Sequence, residues 1–413
     1  MNFRGRHPGE ARPPASRAPW GLRRAARARR GTVLIITMWI VLVLASLVLV
    51  LSRAMRVELA CSANEVAALQ AAAVEEGAIQ YVLARVDGLQ GQTPSGADTP
   101  CEAVQIGDGV FWILRPLTDD DRTQAYGIVD EASKVNLNSA TAAMLAKLPG
   151  MTEEVAAAIV DWRDADGDLT PGGAESEYYL LLADPYECKN AALETVEEAF
   201  LVRDMSQEMV FGEDTNRNGV LDANEDDASA SKPPDNSDGR LDRGVFDFVT
   251  VYSSESAAAA SGPAAVQPSA TTTRQAVGRI NVNTAPWEVL ACLPGLEDSD
   301  VAALLAKRAE SGVDLTTLAW VAETLPQDKV AAIRPYLTAQ SFQFSADIVS
   351  LPANGRAFKR CRIVVSASAS PPKVVYRQDL TRLGWPLAPD IVEKLRAGAP
   401  VGDVVPISRV EAW

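Results

Sequence analysis

Histidine is almost missing from this chain: the one present, His7, lies within the first ten residues. No Ser/His or Cys/His nucleophile pair can therefore form in the body of the protein, and no glycine-rich loop offers a phosphate cradle. Cysteine is sparse too. Cys61, Cys101, Cys188, Cys292 and Cys361 show no C-x-x-C spacing and are odd in number, which argues against a zinc site and a full disulfide framework. One disulfide at most is open, with Cys101 and Cys188 as candidates; small buried thiols are the competing reading. Basic charge is scarce beyond the leader. Residues 1–30 hold nine arginines against Glu10, a net +8, while the whole chain is −15, leaving about −23 for the rest. That excess of acid disfavours a nucleic-acid partner, because phosphate binding needs a basic face. It suits a soluble, calcium-containing exterior.

Long apolar runs are absent with one exception. Residues 32–51, TVLIITMWIVLVLASLVLVL, carry no charge. Twenty residues of helix rise about 30 Å, the thickness of a bilayer core. Arg29 and Arg30 immediately ahead hold that end in the cytoplasm by the positive-inside rule, which Arg53 and Arg56 oppose only weakly. The expectation is a single-pass protein of a bacterial inner membrane, its N-terminus cytoplasmic and its bulk periplasmic. The run is too long for the core of a secretory signal, and Ser52-Arg53-Ala54 is a poor small-residue cleavage site.

Residues 52–86 continue in helix formers, with Met55, Leu59, Val66, Leu69, Ala73, Ile79, Val82 and Val86 as an apolar stripe. Membrane run and stripe thus read as one long helix whose outer half packs on a globular head, ended by the Gly/Pro/Ser/Thr-rich loop 88–100. Strand-like runs at 110–115 and 126–130 are matched only far downstream, at 342–349, 362–367 and 374–380. A sheet split around some 200 mostly helical residues implies an insertion. The chain after Trp385 reads as irregular.

Inside the insertion is a repeat. Residues 134–163 and 279–308 align without gaps, sharing N-x-N-[ST]-A, an apolar helix and L-P-G. This is the pattern of a duplicated helix–hairpin–helix unit. Asn138 or Ser139, and Asn283 or Thr284, are the expected N-caps, with Pro149-Gly150 and Pro294-Gly295 as hairpins. DNA-binding hairpins of this kind carry a second glycine. Here Thr152 and Glu297 stand in its place, and Glu153, Glu154, Asp298 and Asp300 would repel a phosphate. A packing module is the better reading. Two loops separate the repeats: 212–239, acidic, and 253–273, rich in Ala, Ser and Thr, with a strand-like link at 245–252.

Residues 214–225, DTNRNGVLDANE, match D-x-[DN]-x-[DN]-G-x5-E at every specified position. Calcium takes six to eight oxygens in a flexible shell. Asp214, Asn216, Asn218 and the Val220 carbonyl would each give one, Asp222 would bind directly or through water, and Glu225 would close the shell. Gly219 makes the sharp turn and Leu221 points inward as an anchor. The site lacks paired flanking helices, so a structural ion is expected. Asn236-Ser237-Asp238-Gly239-Arg240-Leu241-Asp242 resembles half of a second loop, without the first acid or the closing Glu. Asp161, Asp164, Asp166 and Asp168 crowd a turn that reads more simply as a helix end with an Asp/Arg pair.

The Gly31 junction, Lys134-Val135-Asn136-Leu137-Asn138, Asp161-Trp162-Arg163-Asp164, Gly173-Ala174-Glu175 with Tyr178-Tyr179, and Ile280-Asn281-Val282-Asn283-Thr284-Ala285 together resemble the type II secretion system protein K family, the large minor pseudopilins. The resemblance runs from Arg29 to about Trp385. It implies an α+β, pilin-like fold, a long N-terminal helix on an antiparallel sheet, with a large α-helical insertion holding two helix–hairpin–helix (SAM-like) repeats. The corresponding parts are a leader 1–31, a membrane segment 32–51, pilin-like parts 52–130 and 339–385, the insertion 131–338 and a tail 386–413. It further implies that a prepilin peptidase cuts after Gly31 and methylates Thr32, the new N-terminus. The leader is long for such a family, which puts the true start downstream of Met1. Most pseudopilins carry a glutamate at mature position five, where it pairs with the N-terminal amine of the subunit ahead; here that position is Ile36. A subunit with nothing ahead gains nothing from a carboxylate in hydrocarbon. The expected function is a non-enzymatic tip subunit that initiates and caps the periplasmic pseudopilus. Its partners would be the minor pseudopilins of the I and J classes, the prepilin peptidase and the inner-membrane platform. The rivals are a DNA-uptake protein and a carboxylate-using hydrolase, disfavoured by the acidic hairpins and by the calcium reading.

Overall fold

The computed structural model describes residues 25–94, 99–117, 120–228, 230–232, 235–255 and 278–409. Most of the leader, with His7, and most of the 253–273 loop lie outside the described residues. The chain divides into two units, 1–64 and 65–413.

Helix α1 (Ala25–Val86) supplies the first unit and opens the second. In the first unit every residue from 32 to 51 is exposed, an apolar run long enough to cross a membrane. Its two central hydroxyls are satisfied inside the helix, Thr37 on the Leu34 carbonyl and Ser46 on that of Val43, as a hydrocarbon surrounding demands.

In the second unit the packed stripe differs from the expected one. Ala67, Ala71, Val74, Ala78, Ile79, Val82 and Val86 are buried, whereas Val66, Leu69 and Ala73, like Met55 and Leu59 of the first unit, face outward. Small side chains explain the choice, because alanines let the helix backbone approach the sheet. Ser350 reaches the Ala71 carbonyl itself at 3.0 Å.

The strands are β1 (Val104–Ile106), β2 (Gly109–Arg115), β3 (Ala125–Tyr126), β4 (Val129–Asp130), β9 (Gln343–Leu351), β10 (Lys359–Ser366), β11 (Lys373–Asp379) and β12 (Ser408–Arg409). They form one sheet in the order β11-β10-β9-β2-β1-β12, with β3 on β2 and β4 on β9. All neighbours are antiparallel except β1 and β12. Phe111, Ile113, Phe344, Ile348 and Ile363 face α1. The opposite face carries Val110, Trp112, Leu114, Val349 and Leu351, and it is covered as well. That is why β2 reads as an unbroken apolar run rather than an alternation.

The cover is the C-terminal segment, and here the expected irregular tail is corrected. Helices α10 (Pro389–Arg396) and α11 (Val401–Val404) pack Val392, Leu395, Val401 and Val405 on the sheet, and β12 then pairs with β1. The helix α10 stripe is short, and prolines at 386, 389 and 400 obscure it in the sequence.

Between β4 and β9 a separate core is built from two similar units. The first has β5 (Val135–Asn136), α2 (Ala142–Leu145) and α3 (Glu153–Arg163); the second has β7 (Ile280–Asn281), α6 (Trp287–Ala291) and α7 (Asp298–Arg308). Each leading strand pairs in parallel with a two-residue strand, β5 with β6 (Val249–Thr250) and β7 with β8 (Leu337–Thr338). The link 245–252 is thus one 3-10 turn followed by β6. Short helices α4 (Ser176–Tyr179) and α5 (Gln207–Phe211) follow the first unit, and α8 (Ala319–Thr324) and α9 (Gln327–Ile333) the second.

The N-caps fall later than expected. Thr141 caps α2 and Thr152 caps α3, each accepting a backbone N–H; α6 starts after Pro286, and α7 has a Glu297/Asp300 capping box. The asparagines do other work. Asn136 and Asn281 accept the N–H of Asn138 and Asn283, while Asn138 and Asn283 bond the backbone of Leu193 and Leu315. At the hairpins Gly150 and Gly295 adopt φ of +69° and +75°, a conformation that favours glycine. All five cysteines are free. Cys101 belongs to the core under α1 and Cys188 to the core of the inserted units, which corrects the candidate pairing.

Candidate metal site

The loop 214–225 closes on itself around two buried carboxylates. Asp214 accepts the N–H of Asn218 at 3.1 Å and of Gly219 at 2.8 Å. Glu225 accepts the N–H of Thr215 at 2.9 Å and of Asp222 at 3.1 Å, tying the end of the loop to its start. Asn216 and Asn218 donate their amides to one oxygen of Asp222, at 2.6 and 3.0 Å. The Val220 carbonyl accepts no hydrogen bond among the described residues. Gly219 sits at φ +76° with the Pro116 backbone 3.1 Å from where a Cβ would be, so only glycine fits the turn. Leu221, by contrast, is only half-buried; its N–H goes to the Asp121 carbonyl, and it anchors by backbone rather than by packing.

Electrostatics favour a cation. Burial pushes the Asp214 carboxyl up to about 7, with the charges of Asp247 and Glu225 adding to it. Glu225 is raised as well, chiefly by burial. Arg243 does not relieve them: it pairs with Asp247 at 3.4 Å and donates to the Gly219 carbonyl. Among the described residues no three Asp, Glu, His or Cys side chains alone make a metal-holding group. An oxygen cage here must therefore include the amide and carbonyl oxygens, which is what Asn216, Asn218 and Val220 offer. With that condition the residues fit a hard divalent ion.

The half-loop 236–242 repeats the same ladder. Asn236 donates to Asp242 at 2.9 Å, its oxygen accepts the Asp238 N–H, and Asp238 accepts that of Arg240. The two roles missing from its sequence are filled from elsewhere. Glu213 accepts the N–H of Asn236 and of Asp242, both at 3.2 Å, as Glu225 does in the first loop. Asp226 accepts the Gly239 N–H, as Asp214 does from Gly219. Adjacent residues 213/214 and 225/226 thus serve opposite loops, and Asp121 receives the N–H of both Leu221 and Leu241.

A clamp that no motif announced fixes the first loop to the sheet. Arg360 on β10 is fully buried and donates to the carbonyls of Asn216 and, at 2.7 Å, Arg217. Arg217 itself lies over the Phe211 ring at 3.6 Å. Asn218 adds a bond to the Pro386 carbonyl at 3.1 Å. The available signal was a pair of charges inside apolar strands, Asp347 in FSADIVS and Arg360 in KRCRIVV.

The expected Asp/Arg pair at the end of α3 is not formed. Arg163 instead donates to the carbonyls of Leu137 and Ala140, and Arg308 makes the equivalent bonds to Val282 and Ala285 in the second unit. Glu153, Glu154 and Asp298 are exposed at the hairpins, a poor surface for phosphate. Gly31 and Thr32 lie within α1.

Two family models described as "Type II secretion system (T2SS), protein K" match residues 120–211 and 280–340. These segments hold the two repeated units and flank the loop 214–225 without including it. No curated protein matches the chain. Among solved structures, a chain of the GspK-GspI-GspJ complex from the enterotoxigenic Escherichia coli type 2 secretion system aligns at 15% identity and a TM-score of 0.44. The alignment covers 75% of this chain and 93% of that one, a likeness too distant to bear on the argument. Two segments of the chain, 120–211 and 280–340, thus match the type II secretion system protein K family.

Proposed function

We propose that the protein is a non-enzymatic minor pseudopilin that initiates and caps the periplasmic pseudopilus from its tip. The observation that carries this reading is the combination of an uncovered apolar helix, continuous in sequence with a helix laid on a sheet, and family matches to both inserted units. Residues 32–51 anchor it in the inner membrane with the arginines cytoplasmic. A prepilin peptidase removes the leader after Gly31 and methylates Thr32. Ile36 in place of an acid suits a subunit with none ahead of it. The I- and J-class minor pseudopilins pack along α1, the inner-membrane platform feeds assembly, and the inserted units act as helix–hairpin–helix packing modules rather than DNA readers.

Structural calcium completes the reading. Asp214, Asn216, Asn218, Val220, Asp222 and Glu225 would hold one ion, and the ladder at 236–242 with Glu213 and Asp226 a second; the ion supplies charge neutralisation for the buried carboxylates and takes no part in chemistry.

Co-expression of the full chain with a prepilin peptidase tests the assignment. Mass spectrometry should find Thr32 as the mature, methylated N-terminus, and an uncut Gly31–Thr32 bond would sink the pseudopilin reading. For the loop, calorimetric calcium titrations of wild type and Asp214→Ala should differ; equal heats would remove the ion.

A further inference from the structure

The inserted core carries an apolar surface at the end of α4. The chain turns there over Leu180 and Leu181, whose N–H groups bond back to the carbonyls of Ser176 and Tyr178. Leu181 is 87% exposed, Leu180 50% and Leu201 47%, and the Tyr178 ring also reaches the surface. The base beneath is rigid. Tyr179 is fully buried, with Tyr178 edge-on to its ring at 5.3 Å and Tyr186 stacked on it at 5.2 Å. The Tyr179 hydroxyl accepts the Arg203 N–H at 3.2 Å, and Tyr186 donates to the Leu201 carbonyl at 2.8 Å. The α4 turn and residues 201–203 are thereby held to one tyrosine pair, and the Arg203 guanidinium lies over the Tyr178 ring at 5.1 Å.

Leucines and a tyrosine gathered in solvent on a fixed base have the make-up of a docking surface, since little remains to be ordered on binding. The charge around them is of one sign. Glu177, Asp184 and Glu187 are exposed close to these residues in the chain, and among the described residues none of the three has an ion-pair partner. The cations of the region are committed: Lys189 to Glu198 at 2.8 Å, and Arg203 to Asp204 at 3.0 Å and to the Gly173 carbonyl. The acids decide the occupant. The same face of a second copy would set them against themselves, and nucleic acid and anionic lipid are repelled in the same way.

We propose that this face docks a protein segment presenting apolar side chains between lysines or arginines. Leu181, Leu180, Leu201 and Tyr178 bury the apolar part, which supplies the affinity. Glu177, Asp184 and Glu187 meet the cations at the rim, where they set approach and orientation. The surface rests neither on the loop 214–225 nor on the proposed role in secretion.

The full chain in phosphatidylcholine nanodiscs tests this, titrated against a fluorescent amphipathic peptide of leucine and lysine and against its leucine–glutamate counterpart, with empty discs subtracted. The expected result is saturable binding of the lysine peptide alone, weakened about tenfold or more by Leu181→Asp. The sign of that effect is diagnostic, because an added acid would strengthen an attraction made of charge only. Charge reversal in Glu177→Lys with Asp184→Lys should weaken binding too, and by less as salt is raised. No saturable binding to the wild type overturns the proposal, as does equal binding of the two peptides, or an affinity in Leu181→Asp that matches or exceeds the wild type. Should Leu181→Asp fail to unfold cooperatively, Leu181→Gln, which adds no charge, decides by the same measure.

Discussion

Arg360 and Asp347 form a buried, two-bonded ion pair, Nε to Oδ1 at 2.9 Å and Nη2 to Oδ2 at 2.7 Å, between neighbouring strands of the sheet. The same guanidinium spends its remaining donors on the loop 214–225 of the insertion. A single residue therefore holds together parts of the chain more than 140 positions apart, and its loss leaves two unpaired carbonyls and a buried carboxylate with only Arg362, at 3.6 Å, beside it.

Replacing Arg360 should accordingly be severe. Breaking one side of a buried pair costs about 3–5 kcal/mol, and Arg360→Met is expected to lower the unfolding free energy by that order. Arg360→Lys should recover little, since an ammonium cannot reproduce the planar fork. Chemical denaturation of the three proteins checks this; a Lys variant as stable as wild type would show that charge alone matters.

Arg308 and Arg163 make the same two carbonyl bonds in their respective units. Hydrogen bonds to charged donors contribute about 1.5–3 kcal/mol. Arg308→Met and Arg163→Met should each destabilise by about 2 kcal/mol, and hydrogen exchange should show the loosening confined to the unit that carries the change. Exchange raised equally in both units would mean that the repeats do not open separately.

Chelation offers a test of the loop in the folded protein. A ligand that binds only the native state raises stability by mass action. EDTA should lower the Tm of the wild type by several degrees, and the Tm of Asp214→Ala by clearly less. Identical shifts would place the stabilising ion elsewhere.

Asp130 closes the junction where the insertion leaves the sheet. It accepts Ser341 and Thr284 hydroxyls, each at 2.6 Å, the Asn281 amide at 3.1 Å and the Ala132 N–H at 2.8 Å. Burial nevertheless raises its carboxyl, the four donors opposing that only in part. The sign follows from linkage: with the folded value above the unfolded one, near 4, the native state binds the extra proton. The contribution of Asp130 is therefore complete below about pH 4 and declines as pH rises through its raised value. The stability gap between wild type and Asp130→Asn, measured by denaturation across pH 4–8, should narrow with rising pH. A gap that widens would mean that the four donors outweigh burial.

Much of the architecture could be read locally. The charge-free run 32–51, the gapless repeat and the twelve-residue loop each depend on residues close in sequence, so each was visible before any fold was known. The hairpin glycines belong to the same class, because a positive φ is a property of one residue. In the packed stripe of α1, Ile79, Val82 and Val86 are legible in the sequence, whereas Ala67, Ala71 and Val74 pack in place of Val66, Leu69 and Ala73, since alanine carries a weak apolar signal yet permits the closest approach to the sheet. Prolines hid the amphipathic C-terminal helix that covers the second face.

By itself, then, the sequence determined what short-range covalent geometry and periodicity can determine: the membrane-length helix, the duplicated units and the loop that closes around Asp214. Only the tertiary structure decided which charges meet. Arg360 with Asp347 and the loop carbonyls, and Glu213 and Asp226 completing the ladder at 236–242, are pairings between distant residues. Their energies depend on burial and distance, and neither exists along an unfolded chain.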